Sequence, residues 1–222
     1  MISILVPSRG RPQNVYRLYD SLVATTEGEW ELLVRRDIDD PFWHGYNERG
    51  PLPNLAYVSG DRRLLSELWN ELVPYAVGDI FMHGGDDIVF RTPGWDRIVR
   101  DAFPADRIAF VHGDDLGGKG DRLGTHGFLS REAVEAVGYF MPPYFASDYN
   151  DLWWNEVYES IGRRIFVPII TEHMHPAFGK GEMDQTHLDR IERHKSEDVD
   201  AIWRDTADKR ATDAATLLGL LR

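Results

Sequence analysis

Apolar positions along the chain change period several times, and each change marks an element. The run "ISILVP" (2–7) ends in turn residues; "RPQNVYRLYDSLVATT" (11–26) then sets Val15, Leu18, Tyr19, Leu22 and Val23 at helical spacing, predicting strand, loop and amphipathic helix. "WELLVRRD" (30–37) and "NLAYVSG" (54–60) read as the second and third strands. The helical period returns in "RRLLSELWNELVPYA" (62–76) through Leu64, Leu65, Leu68, Trp69, Leu72 and Val73, and "DIFMHGG" (79–85) is the fourth strand. Strands alternating with helices predict an α/β fold, a mostly parallel central sheet flanked by helices on both faces. Such sheets bind ligands at the carboxyl ends of their strands.

Past residue 95 the pattern is mixed. "GWDRIVRDAF" (94–103) predicts a short helix, "RIAFVHGDD" (107–115) a strand, "GGKGDR" (117–122) a glycine-rich loop, and "LGTHGFLS" (123–130) a strand leading into "REAVEAVGYF" (131–140). "SDYNDLWWNEVYESIGRR" (147–164) puts Trp153, Trp154, Val157, Tyr158 and Ile161 on one helical face, and "IFVPIITEHMH" (165–175) reads as strand. From Asp184 to Arg222 the chain is charged and helical in pattern, with Leu188, Ile191, Val199, Ile202 and Trp203 as a thin apolar stripe. That stripe packs on the domain or forms a homodimer contact. The expected organisation is one domain over 1–183 with a C-terminal helical tail over 184–222.

Composition narrows the chemistry. A chain of 222 residues, 42% hydrophobic, can bury one substantial core. It has no cysteine, which excludes disulfides and thiolate metal sites and leaves oxygen and imidazole ligands. No stretch is long and apolar enough to span a bilayer, and the opening apolar run is too short for a signal peptide and lacks a basic start, so a cytoplasmic protein with no membrane partner is expected. The excess of 37 Asp+Glu over 25 Lys+Arg, net -12, repels polyanions and argues against duplex nucleic acid as a tight partner. Basic clusters in "PSRGRP" (7–12) and "GDRR" (60–63), set among turn residues, remain as local phosphate sites.

The candidate chemistry centres on "MHGGDDIVF" (82–90), where Asp86 and Asp87 follow Gly84 and Gly85 at the tip of the fourth strand. Adjacent carboxylates repel, and a divalent cation relieves that repulsion; the alternative is a solvated turn. A second pair, Asp114 and Asp115, runs into the glycine-rich loop, whereas Ile88–Phe90 pins the first pair to a rigid edge. Lys119 and Arg122 would meet a phosphate if that loop acts as a lid. In "ITEHMHPAFGK" (170–180), His173 and His175 point to the same side of an extended segment and can complete an oxygen-rich metal shell, with Lys180 as a phosphate partner. "SDYNDLWW" (147–154) sets Asp148 and Asp151 in the first turn of a helix, as cap and dipole partner or as acceptor of a hydroxyl proton. Asp151, at the border of the polar and apolar faces, is the better placed to be half-buried.

In order, "ISILVPSRGRPQNVYRLYDSL", Asp37, "GDIFMHGGDDIVF", "GTHGFLSREAVEAVGYF", "SDYNDLWW" and "EHMHPAFGK" resemble nucleotide-sugar-dependent glycosyltransferases of the GT-A fold, of the family-2-like kind, including versions encoded by bacteriophages, over roughly residues 2–180. The resemblance implies a Rossmann-like GT-A domain that moves a hexose from a nucleoside-diphosphate donor to a hydroxyl acceptor. Pro7, Ser8 and Arg9 would line the nucleotide site and Asp37 would lie near the base. Asp87 matches the last acidic residue of the family's Asp-x-Asp motif, which holds Mn²⁺ or Mg²⁺ against the diphosphate, with Asp86 in the middle position on the nucleotide-sugar side. Gly85 stands where the family has its first acidic residue, a departure that bears on the ribose contact and on the metal site. His175 or His173 matches the late histidine that completes metal coordination. Asp151, with Asp148 near it, matches the acceptor-side base of inverting relatives.

Departure of the diphosphate develops negative charge that a metal and cations such as Arg62, Arg63 or Lys180 would stabilise, while the anomeric carbon becomes oxocarbenium-like. An acidic residue at 151 fits inversion and retention alike, and the acceptor stays open among a protein, a glycan and a modified nucleic-acid base. Three other readings compete. A metal-dependent nucleotidyltransferase normally opens with a glycine-rich loop and a lysine, where "PSRGRP" has one glycine. The others are a non-catalytic sugar- or nucleotide-binding module and a hydrolase built on the His and Asp cluster.

Overall fold

The computed structural model describes residues 1–221. Its strands are β1 (Ile2–Ser8), β2 (Trp30–Asp37), β3 (Leu55–Gly60), β4 (Ile80–His83), β5 (Ile88–Phe90), β6 (Phe110–Asp114), β7 (Gly127–Ser130) and β8 (Arg164–His173), in the sheet order β3-β2-β1-β4-β7-β6-β8-β5. β3, β2, β1 and β4 are mutually parallel, and β6 is parallel to β8. Two strands are reversed: β7 against both β4 and β6, and β5 against β8.

Every residue of β1 is buried, as a strand covered on both faces requires, and its two-residue period divides it between two cores. Ile2, Ile4 and Val6 join Val15, Leu18 and Leu22 of α1 (Pro12–Thr25) and Trp95 and Val99 of α3 (Trp95–Ala102). Leu5 faces the other way, toward Trp69 and Leu72 of α2 (Leu65–Leu72), Val134 of α4 (Arg131–Val137), and Trp153, Trp154, Val157 and Tyr158 of α5 (Asn150–Ser160). The aromatic face expected on the 147–164 helix is therefore core.

Three helices follow: α6 (Gln185–Ser196), α7 (Val199–Asp205) and α8 (Ala207–Leu218). The apolar stripe predicted for them divides in two. Val199 and Leu217 are buried, and Ile202 and Trp203 pack on the second core. Leu188 and Ile191 of α6 instead remain 46% and 39% exposed, and His187 is the one residue of that helix that is buried. Among the described residues no helix is long and apolar enough to cross a membrane.

Strand direction builds the site. Six strands run with their carboxyl ends to one edge of the sheet, and the two reversed strands bring their amino ends to the same edge. His126 just before β7 and Asp87 just before β5 thereby join the residues that end β1, β2, β4, β6 and β8.

Candidate active site

A cleft of about 520 Å³ opens at this edge. Of the residues singled out from sequence, Pro7, Ser8, Arg9, Asp37, Arg62, Arg63, Asp86, Asp87, Asp148, Asp151, His173 and His175 all line it. Lys180 does not: its ammonium lies 2.9 Å from Glu172, and it lines a neighbouring hollow of about 730 Å³ instead. Arg122 is also turned away, donating to the carbonyls of Gly118 and Lys119 within its own loop.

The turn after β4 is fixed from both sides. Gly84 donates its N–H to the Leu5 carbonyl at 3.0 Å, and the Trp69 indole donates to the carbonyls of Leu5 and Gly84 at 3.1 and 3.2 Å. Asp86 is thus held inside the protein, where it accepts from the Ser8 hydroxyl at 2.7 Å and from Arg11 at 3.3 Å. Burial nevertheless pushes its carboxyl above the usual range, to about 6. Tyr46 and Asp40 extend the network: the Tyr46 hydroxyl lies 3.0 Å from Ser8 Oγ, and Asp40 accepts from the Gly10 N–H at 2.7 Å. Asp37, at the end of β2, is ion-paired with Arg9 at 2.9 Å and with Arg35 at 3.4 Å.

At the centre His173 sits between two carboxylates. Backbone bonds from the His173 N–H to Asp115 O and from the Met174 N–H to Asp87 O, 2.9 and 2.7 Å, wedge the end of β8 between the two acidic turns. Its Nε2 lies 3.3 Å from Asp87 Oδ2 and its Nδ1 3.8 Å from Asp115 Oδ2. Burial alone would lower the imidazole pKa; Asp115 and Asp87 overcome it and lift the ring to about 9. Burial would likewise raise Asp87, but His173 holds it well below the usual carboxylate range. His175, two residues on, meets neither carboxylate. Its Nδ1 accepts from the Ala177 N–H at 3.1 Å, and burial together with the charge of His173 lowers it to about 4.

The donor chemistry fits a divalent cation with two protein ligands. Asp87 Oδ2 and His173 Nε2, 3.3 Å apart, are the oxygen and imidazole groups that would hold such a cation. Among the described residues no set of three or more histidine or acidic side chains is arranged to hold a metal. Phosphate oxygens and water would fill the other positions, the usual arrangement for Mg²⁺.

Gly85 is part of this geometry. A Cβ there would lie 2.6 Å from Asp87 Oδ1, so any side chain must displace that carboxylate. In Gly85→Ala the Asp87 carboxylate must shift beside His173, and the His173 pKa should fall below about 9. Histidine NMR titration reads this directly; an unchanged titration would remove Gly85 from the account.

The far wall differs from expectation. Tyr149, with φ 69°, caps α5, so Asp151 lies in the first turn but Asp148 lies outside the helix. The left-handed backbone at Tyr149 interrupts the helical path that sequence spacing assumes. Asp148 is engaged by α6, with the Arg190 Nε at 2.9 Å and His194 Nδ1 at 3.1 Å, and although burial opposes it these partners keep its pKa low. Asp151 has no such partner, and burial raises it to about 6.

Four contributors escape sequence reasoning. Asp115 is buried against His173 rather than exposed on a loop; His126 is buried with its ring centroid 4.9 Å from that of His173. Arg11 is half-buried between Asp86, Asp184 and His187, and α6 closes the mouth through Arg62–Asp189 at 2.7 Å and the Thr186 hydroxyl on Arg9 O at 3.1 Å. The "HGDD" repeat was a usable signal for Asp115. The other three have none in a single sequence.

No family model and no curated protein matches the sequence. Solved structures do match its fold. A mannosyltransferase from Pyrobaculum calidifontis, in complex with GDP-Man and Mn²⁺, aligns with a TM-score of 0.63 at 15% identity over 78% of this chain. TarS 1–349 from S. aureus, in complex with UDP-GlcNAc, aligns at 0.56 and 12% over 78%. Glucosyl-3-phosphoglycerate synthase from Mycobacterium tuberculosis, in complex with Mn²⁺, UDP and phosphoglyceric acid, aligns at 0.57 and 15% over 79%. The chain spans 57%, 59% and 71% of those proteins respectively. The fold is that of the GT-A glycosyltransferases.

Proposed function

We propose that the protein transfers a sugar from a nucleoside-diphosphate donor to a hydroxyl acceptor, with a bound Mn²⁺ or Mg²⁺. One observation carries this reading: a single cleft at the strand ends joins the Asp87–His173 pair to a half-buried carboxylate, Asp151, raised to about 6. The ligands named for the similar structures, GDP-Man, UDP and Mn²⁺, support the same assignment.

Asp87 and His173 would hold the cation, which when bound offsets charge developing on the departing diphosphate. Ser8 and Arg9 at the end of β1, with Asp37 at the end of β2, form the nucleoside side of the cleft. Asp151 is the base: unprotonated at neutral pH, yet basic enough to draw a proton from the incoming hydroxyl. Asp148, ion-paired with Arg190 and in contact with His194, anchors α6.

Calorimetry with UDP and with GDP tests the reading. Binding is expected in the presence of Mn²⁺, to be lost in its absence and in Asp87→Ala; no binding of either nucleotide with metal present would refute a donor site. The pH dependence is equally specific. His173 must shed its proton to ligate, so with a pKa of about 9 the Mn²⁺ affinity should climb roughly tenfold per unit between pH 6 and 8. A flat profile would exclude His173 as a ligand.

A further inference from the structure

Seven lysine and arginine side chains line the cleft. Arg9, Arg11, Arg62, Arg63 and Arg190 each lie against a carboxylate. Among the described residues, Lys119 and Arg193 are the two that do not, and the Nε of Arg193 is buried without any hydrogen-bond partner. Arg193 is partly buried, and a cation held there without a counter-charge carries a desolvation penalty that a bound anion relieves, whereas Lys119 is exposed at the rim of the same cleft.

Both lie on segments that apolar burial does not hold in place. On α6, Thr186, Asp189, Arg190 and Arg193 follow the i, i+3, i+4, i+7 spacing of one helical face and line the cleft, while Leu188 and Ile191 are left toward solvent. The helix turns its charged face inward and is held by ion pairs, each worth little at a partly exposed site. Lys119 rides on a loop in which Gly118 and Gly120 adopt left-handed backbone, φ 83° and 55°, and Leu116 is 41% exposed. Segments of this kind shift at small free-energy cost.

We propose that Lys119 and Arg193 form an anion grip that closes on the diphosphate of the donor, one cation from the glycine-rich loop and one from α6. This inference rests on the donor-site reading and extends it: the tail helix belongs to the binding machinery. Neither residue is among the metal or base positions, so their role is binding and orientation of the charged group.

The test is calorimetry of wild type, Arg193→Gln, Arg193→Lys and Lys119→Gln with inorganic pyrophosphate, and in parallel with UDP and GDP plus Mn²⁺. Wild type should bind pyrophosphate, each Gln variant should bind it about five- to tenfold more weakly, and Arg193→Lys should recover most of the loss. Thermal unfolding of each variant checks that it is folded. Nucleotides binding wild type and Gln variants alike would overturn the grip and leave the donor site standing. Pyrophosphate binding lost in the Gln variants, with no nucleotide bound by wild type, would leave the two cations as a phosphate site and refute both the donor site and the grip on a donor. No pyrophosphate binding by wild type would overturn the grip outright.

Discussion

Asp151→Asn is expected to abolish sugar transfer and at the same time to stabilise the protein. The two effects share one cause. Burial at the first turn of α5 raises the Asp151 carboxyl to about 6, so in its ionised form the side chain is held where the fold disfavours charge. A displaced unit of pKa corresponds to about 1.4 kcal/mol, and a neutral amide of the same shape should return about 1–2 kcal/mol of stability at pH 7, or roughly 2–8 °C in Tm for a chain of this size. The sign follows from linkage: the acid is raised on folding, so the unfolded chain ionises first as pH rises. The penalty is absent below about pH 4, grows between 4 and 6 and is constant above. The gain in Tm should therefore be present at pH 7 and vanish at pH 4. Transfer should fall about 10²–10⁴-fold in the variant, and in the wild type should decline roughly tenfold per unit below pH 6. A variant that keeps a tenth of the activity would show that another group takes the proton.

How far the sequence foretold this arrangement depends on which physical signals are local. The first four strands, α1 and α2 follow from the period of their apolar residues, and the rule that ligands gather at parallel strand ends then points to Ser8, Asp37 and Asp86. No local signal places Asp115 and His126 at the site, because the direction of β6, β7 and β8 relative to one another is a non-local choice, and only that choice brings His173 against Asp115. Lys180 lies outside the cleft for a related reason. The turn after β8 folds Lys180 back so that its ammonium lies 2.9 Å from Glu172, a contact that sequence spacing does not show. In the tail, periodicity finds an apolar stripe but cannot tell which face meets the body. Val199, Ile202 and Trp203 turn inward onto apolar surface, whereas α6 faces Asp148, Arg62 and Arg11 and turns its charges toward them.

Arg11 makes the second large prediction, because it holds that arrangement together across 173 residues of sequence separation. Its guanidinium, 11% exposed, reaches Asp86 at 3.3 Å on one side and Asp184 at 2.5 Å on the other, and also touches His187. Asp86 is already raised to about 6 by burial, with Arg11 the chief opposing influence. Arg11→Ala leaves that carboxylate buried and uncompensated, which costs about 3–5 kcal/mol, or roughly 6–20 °C in Tm. Removing the arginine raises the Asp86 pKa further, so the deficit should be largest at pH 7–8 and should shrink on acidification as the carboxyl takes up its proton. A double variant, Arg11→Ala with Asp86→Asn, should recover most of the loss, since the amide can still accept from Ser8 and carries no charge. Additive losses would mean that Arg11 acts through Asp184 and α6 alone. Arg11 also lines both the cleft and the neighbouring 730 Å³ hollow. Its loss should join the two, and α6, deprived of its first anchor, should exchange backbone amides faster while α7 and α8, held by buried Val199 and Leu217, do not.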